Sequence, residues 1–423
     1  MSNQLALLGG SPIRCRPFPS WPIFDTTDEA RVIAALRSGK WGRLDGEEVS
    51  LFERNFAELH GCQYGIAVVN GTVSLRLALM AAGLRGEDEI IVPSYTFFAT
   101  ASAVIEANMI PVFADIDLDS FNLDPSVIES RISPRTRGII PVHFAGQPAE
   151  MDAIHAIAAK HHLVVIEDAA HAHGALWNDR PAGSLAAMGS FSFQSSKNLT
   201  CGEGGIITTS DSNLAELCRS LHNCGRIPTG VWYEHHRLSA NYRLSELQGA
   251  LLNAQLQRLT AQTQTRDSNG QLLARKLAQL PGIYPQKRPA ACTRHSYHLF
   301  MLRLVEEEFG LPRSVTLEAL QAEGIPCSAG YGYSLHQQPM FRNLAFGPYL
   351  HEAVKHLDYN AVSTPKSDLI CRSQGVWLGQ SLLLGTADDM EDIYRAFEKI
   401  HTHRLALADW HQHRPLQSLG VHA

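Results

Sequence analysis

Short apolar runs rich in β-branched residues recur along the first half of the chain, at 64–69, 89–93, 111–115, 138–143, 163–168, 188–193 and 205–209. Each is followed by a loop, and most by an Ala/Leu-rich stretch with helical spacing. Strands alternating with helices predict a mainly parallel sheet covered on both faces. Strands buried on both sides read almost continuously apolar, as LVVIED and RGIIPVHF do, until a polar residue closes the C-terminal end. Open sheets of this class hold ligands at those ends, so the polar residues there are the first candidates for chemistry.

Beyond the seventh run the period changes. Apolar residues at Leu247, Ala250, Leu251, Ala254, Leu256 and Leu259 open a long helical stretch over 244–280, stopped by Pro281-Gly282. After it, 295–304 reads as a strand and SVTLEALQAEG as a helix ending at Gly324. GVWLGQSLLLG (375–385) reads as another strand, ahead of a helix over 388–400. The expectation is a large three-layer α/β/α domain over 1–260, including an N-terminal arm, and a small α+β domain over 261–423. The last twenty or so residues lack a clear apolar period.

The 423 residues carry 36 basic and 42 acidic side chains, a formal net charge of -6, with no block of like charge. A nucleic-acid partner is excluded on that balance. No apolar run reaches the roughly 20 residues of a membrane helix, and the first ten residues lack a secretory pattern. The expectation is a soluble cytoplasmic protein. Eight scattered cysteines show no Cys-x-x-Cys spacing, and the 20 histidines form no metal-binding array, so no metal is expected.

Three polar clusters stand at strand ends. Asn70-Gly71-Thr72 joins a strand to a helix start, where free backbone N–H groups and the Thr72 hydroxyl can receive an anion. Read alone, it is also an ordinary strand-to-helix turn. Glu167-Asp168-Ala169-Ala170-His171-Ala172-His173-Gly174 closes the most apolar strand, where a carboxylate is costly unless a cation or donor meets it. A helix cap is the plainer use of such an aspartate. Third, Ser192-Phe193-Gln194-Ser195-Ser196-Lys197 runs into the Gly-rich 202–205, an unusual setting for a surface lysine. The spacing of a phosphate-binding P-loop is absent.

These segments together resemble the pyridoxal-phosphate aminotransferases of the DegT/DnrJ/EryC1/StrS family, which act on keto sugars and keto cyclitols. The resemblance covers most of the chain, from Trp41 and the Gly46/Glu53 region through VPSYTFFATASAV, PVHFAG, EDAAHAHGA, FSFQSSKNLTCGEGG and SANYRLSELQGA to WLGQSLLL. It implies the aspartate-aminotransferase fold (fold type I), a seven-stranded sheet, pyridoxal 5'-phosphate as cofactor, and a homodimer with shared active sites. By position it makes Lys197 the covalent lysine, Asp168 the partner of the pyridine nitrogen, and Ser192 with Gly71, Thr72 and Val73 the phosphate site. Phe97 would stack on the ring, His171 would lie beside the phenolic oxygen, and Asn241 would reach the phosphate of the neighbouring subunit. Trp41, Arg43, Glu203, Tyr331 and Tyr333 are candidates to line the acceptor pocket.

The implied activity is transfer of the amino group of L-glutamate or L-glutamine to a cyclic ketone, either a keto sugar, often nucleotide-linked, or a keto cyclitol. His171 replaces a common glutamine and resembles the branch that makes 3-amino-5-hydroxybenzoate, a dehydrating and aromatising alternative. The segments around SSKNL and WLGQ resemble general sugar and cyclitol aminotransferases instead. A dehydrating relative carries histidine in place of the lysine, so Lys197 favours transfer. A non-catalytic sugar-binding regulator on the same fold is the alternative from another class. It would have no reason to keep Lys197, Asp168 and Ser192 together.

Overall fold

The computed structural model describes residues 4–350 and 352–413. Its centre is a seven-stranded sheet built from β1 (Tyr64–Val68), β2 (Glu89–Pro93), β3 (Ile110–Ala114), β4 (Thr136–Ile139), β5 (Val164–Asp168), β6 (Met188–Ser192) and β7 (Gly205–Thr209). The order across the sheet is β1-β7-β6-β5-β4-β2-β3. The pairs β2/β3, β2/β4, β4/β5 and β5/β6 are parallel. Only β7 runs against both its neighbours, β1 and β6. The two faces bury separate apolar clusters, one around Leu77, Val92 and Ile166, the other around Phe52, Phe56 and Phe191. This is the three-layer fold type I architecture expected from the run pattern.

Helix α1 (Gly71–Ala81) starts directly at the end of β1, because the Asn70 carboxamide caps it by accepting from Val73 N–H at 2.9 Å. The long helix α2 (Glu246–Leu277) begins at a capping box in which Ser245 and Gln248 satisfy each other's backbone N–H groups. It continues through the polar stretch without a break. Its first half, at Leu252 and Leu259, packs on the large sheet's helical layer, while Leu273 and Leu277 belong to a second core.

That second core lies between α3 (Arg313–Ala322), α4 (Ala387–Thr402) and an antiparallel sheet of β8 (Ile283–Pro285), β9 (Leu299–Leu304) and β10 (Gly375–Gly379). The division expected at residue 260 therefore falls inside one helix that serves both cores. The chain also crosses it twice. Leu5 packs in the second core, with Arg14 paired to Asp389 at 2.7 Å and Asp392 at 2.9 Å. Leu335, Phe341, Phe346 and Tyr359 return to the first core. The strand expected over 375–385 stops at Gly379, and Gln380–Leu384 turns as a 3-10 helix that brings Gln380 to the large domain. Of the tail, Arg404–His413 forms a helix with Leu407 buried; the rest lies outside the described residues.

Candidate active site

A cavity of about 820 Å³ opens at the C-terminal ends of β1, β5 and β6, closed from the other side by the second sheet. Asn70, Gly71, Thr72, Phe97, Asp168, His171, Ser192 and Lys197 line it from the large domain. His298, Leu299, Tyr331, Trp377 and Gln380 line it from the small one. The three polar clusters, spread over residues 70–72, 167–174 and 192–197, thus meet in one place.

Successive residues of a strand face opposite sides, and the two carboxylates closing β5 accordingly have separate fates. Glu167 points away from the cavity and is held by the N–H groups of Gly183, Leu185 and Ala186 and by His143 Nε2 at 2.9 Å. Asp168 faces the cavity. Its Oδ2 accepts from the Thr100 hydroxyl at 2.7 Å, and its Oδ1 accepts from Ala170 N–H at 3.2 Å. Burial pushes its carboxyl above the ordinary range, against the pull of those two donors and of the Lys197 charge. A buried carboxylate held by neutral donors is short of a cation on the cavity side.

Lys197 sits in a loop fixed from both ends. Its own N–H donates to Gln194 O at 2.9 Å, Asn198 Nδ2 donates to Ser296 O at 2.7 Å, and the Thr200 hydroxyl donates to Phe193 O at 2.9 Å. Its ammonium has no hydrogen-bond partner among the described residues. Enclosure by protein draws it down to about 8, with the Asp168 charge acting in the opposite direction. An amine so placed carries more of its neutral form near physiological pH than an ordinary lysine, which suits it to act as nucleophile or base.

At the other end of the cavity the start of α1 abuts the end of β6. A Cβ at Gly71 would lie 2.7 Å from Ser192 Cβ, so only glycine allows this approach. The Gly71 and Thr72 N–H groups have no partner among the described residues, and with the Ser192 and Thr72 hydroxyls they form a cradle for an anion. The N–H of Val73, the third residue expected here, donates to Asn70 Oδ1.

His171 is buried, with its Nδ1 unpaired and its ring 4.2 Å from that of His298. Burial holds both imidazoles well below their usual range, hence neutral. Phe97 is 56% exposed at the cavity. Tyr331 reaches the wall, its ring packed on Trp377 at 4.7 Å, and Glu203 also lines the cavity.

Three other expected residues, and Asn241, whose expected place is the neighbouring subunit's site, stand outside this cavity. Arg43 is engaged by the buried Glu53 at 2.7 Å, and Glu53 in turn accepts from Ala67 N–H. Trp41 donates from its indole to Leu36 O at 2.9 Å and holds the start of α2 through its carbonyl. Tyr333 and Asn241 are exposed and outside the cavity; Asn241 Oδ1 accepts from Arg243 N–H. Conversely, Thr100, Trp21, His298 and Gln380 went unnoticed in the sequence. Thr100 lies in a quoted segment, yet its pairing with a residue 68 positions away leaves no local signal.

The cavity thus offers an anion cradle at one end, an exposed aromatic face, a buried carboxylate needing a cation, and a free amine between them. A flat heteroaromatic phosphate with a protonated ring nitrogen and a carbonyl group meets each requirement. Residues 22–368 match the model of the DegT/DnrJ/EryC1/StrS aminotransferase family. The chain is 37% identical over 415 residues, covering 95% of it and 98% of its relative, to a putative L-glutamine:3-amino-2,3-dideoxy-scyllo-inosose aminotransferase from Streptoalloteichus tenebrarius. Among solved structures it is similar to 3-amino-5-hydroxybenzoic acid synthase, with a TM-score of 0.82 and 33% identity, covering 92% of this chain and 100% of that one. It is also similar to DesI, solved in the presence of its TDP-sugar product, with a TM-score of 0.80 and 29% identity, covering 96% of this chain and 99% of that one. The chain belongs to the DegT/DnrJ/EryC1/StrS family and is a pyridoxal-phosphate-dependent aminotransferase.

Proposed function

We propose that the enzyme moves the amino group of L-glutamine or L-glutamate onto a ketone carried by a hydroxyl-rich six-membered ring, a keto cyclitol or keto sugar, in aminosugar or antibiotic biosynthesis. The observation that carries this reading is the convergence of the Lys197 amine, the Asp168 carboxyl and the Gly71-Thr72 cradle on one cavity. Asn70, Thr72, Thr96, Gln194, Ser196 and Ser381 add uncharged hydrogen-bonding groups to its walls, the chemistry suited to ring hydroxyls.

When bound, pyridoxal phosphate supplies the carbonyl that takes up the amino group and the ring that accepts an electron pair. Lys197 would hold it covalently through its side-chain amine and, once free, would move the proton at the donor's α-carbon. Its lowered pKa suits that work. Asp168 keeps a proton on the ring nitrogen, and Thr100 and Ala170 aim its two oxygens. Ser192, Gly71 and Thr72 receive the phosphate. Phe97 would fix the plane of the ring, and the neutral His171 would lie beside the phenolic oxygen.

The working form in this reading is a homodimer in the cytoplasm. Trp232, Tyr233 and Leu238 are exposed apolar residues close in sequence to Asn241, a surface suited to a second copy, whose phosphate site Asn241 would then complete. Among the described residues no helix is long and apolar enough to cross a membrane.

The test is an acceptor panel of 2-deoxy-scyllo-inosose and a nucleotide-linked keto sugar, scored by return of the visible band as the amine-loaded cofactor gives up its amine, with an aminated cyclohexenone acid assayed separately for its aromatic product. The reading predicts turnover with a cyclitol or sugar ketone. Turnover with the cyclohexenone alone would favour the aromatising alternative. In Lys197→Ala a catalyst loses turnover, whereas a sugar-binding regulator would keep its ligand affinity.

A further inference from the structure

Arg266, in the middle of α2, is the largest fully buried side chain among the described residues. Its Nε donates to Gln380 Oε1 at 2.8 Å, yet Nη1 and Nη2 have no partner among the described residues, and no carboxylate is paired with it. The guanidinium lies 5.3 Å from the centre of the Trp21 ring. Burial without an acidic neighbour draws even this guanidinium down to about 9. An uncompensated buried cation is costly and calls for a function. Gln380 and Trp21 both line the active-site cavity.

Arginine only donates, so the Gln380 carboxamide can meet it only through its oxygen. Its NH2 group is therefore turned the other way, and Nε2 has no partner among the described residues. One wall of the cavity consequently presents a fixed hydrogen-bond donor backed by a buried positive charge. Asp168 and Glu203 supply the carboxylates elsewhere in the same cavity. Apart from Lys197, no lysine or arginine among the described residues lines the cavity.

We propose that Gln380, backed by Arg266, is the subsite for the α-carboxylate of the amino donor. Gln380 donates to a carboxylate oxygen, and Arg266 acts behind it as a positioning residue that locks the amide's orientation and supplies the field. Trp21 covers the guanidinium and keeps water from screening it. The proposal rests on the aminotransferase reading, because an amino-acid donor always brings a carboxylate that the acceptor ring need not have.

The test compares L-glutamine with its α-amide, which keeps the amine but lacks the carboxylate, in the donor half-reaction of the cofactor-loaded enzyme. Gln380→Glu keeps an oxygen for Arg266 and nearly the same shape, but turns an acceptor and a negative charge towards the donor. It is expected to lower kcat/KM for L-glutamine on the order of tenfold or more, mostly through KM, a loss equal to one strong contact. Turnover of the α-amide should hold or improve. Arg266→Met should reduce discrimination between the two donors in the same direction. Binding of glutarate, a carboxylate that cannot react, should weaken in parallel by calorimetry. Equal losses for both donors, or unchanged L-glutamine kinetics in Gln380→Glu, would overturn the proposal. If the wild-type protein reacts with neither donor, the aminotransferase reading itself fails, a distinct outcome.

Discussion

Thr100→Val isolates what the buried hydrogen bond to Asp168 contributes. The hydroxyl donates to Asp168 Oδ2 at 2.7 Å, and the side chain is fully buried. Valine keeps the volume, so the change removes a donor without opening a cavity. Asp168 keeps only the longer contact from Ala170 N–H, at 3.2 Å. A hydrogen bond to a charged group contributes about 1.5–3 kcal/mol, roughly ten- to a hundredfold in the balance between charged and neutral carboxyl. The bond stabilises the carboxylate and so opposes the upward push of burial. Its loss raises the pKa further, and at any given pH fewer molecules carry an ionised Asp168. The acid limb of the donor half-reaction, followed by bleaching of the cofactor's visible band, should therefore move to higher pH, and the rate on that limb should fall. An acid limb that stays in place in Thr100→Val would refute the argument that this hydroxyl tunes the carboxylate.

Two further outcomes follow from the same geometry. In cofactor-free protein the Lys197 amine should react with an acylating reagent along a titration curve centred near 8, because a lowered pKa leaves more neutral amine at each pH. Peptide mapping of label against pH checks it, and a midpoint at the ordinary lysine value would contradict it. Arg43→Met should lower stability by about 3 kcal/mol, the lower end of the cost of breaking a buried pair, since Arg219 remains 3.7 Å from Glu53. Thermal unfolding reads that loss, while KM for both substrates should stay as in the wild type. A changed KM with unchanged stability would return Arg43 to the acceptor pocket.

How far the sequence could be read depended on the range of the interactions. Buried strands announce themselves locally, and 89–93 and 205–209 coincide with β2 and β7 because their apolar runs are bounded by polar or glycine residues. Lys197, Asp168 and Gly71 were readable for a similar reason: each breaks a local rule, placing a charge or a missing side chain where packing alone would not. The direction of β7 was not readable, since a β-branched run does not state which way it runs. Nor did the fate of Arg43 show in the sequence. An arginine in a loop resembles a substrate contact until Glu53, buried on another element, is seen to need it. Gln380 was hidden inside a run that reads as strand, and only the turn after Gly379 delivers it to the cavity. Arg266 looked like one polar residue among many in a long helix, because nothing nearby in sequence shows that two cores close over it.

The claim on which the account rests is that Lys197 carries the cofactor. Borohydride reduction of the cofactor-loaded protein, followed by proteolysis and peptide mass mapping, tests it directly. The account predicts a phosphopyridoxyl group on Lys197 and on no other lysine, blocked when excess amino donor is added before the reductant. An unmodified Lys197 in yellow, active protein would contradict it.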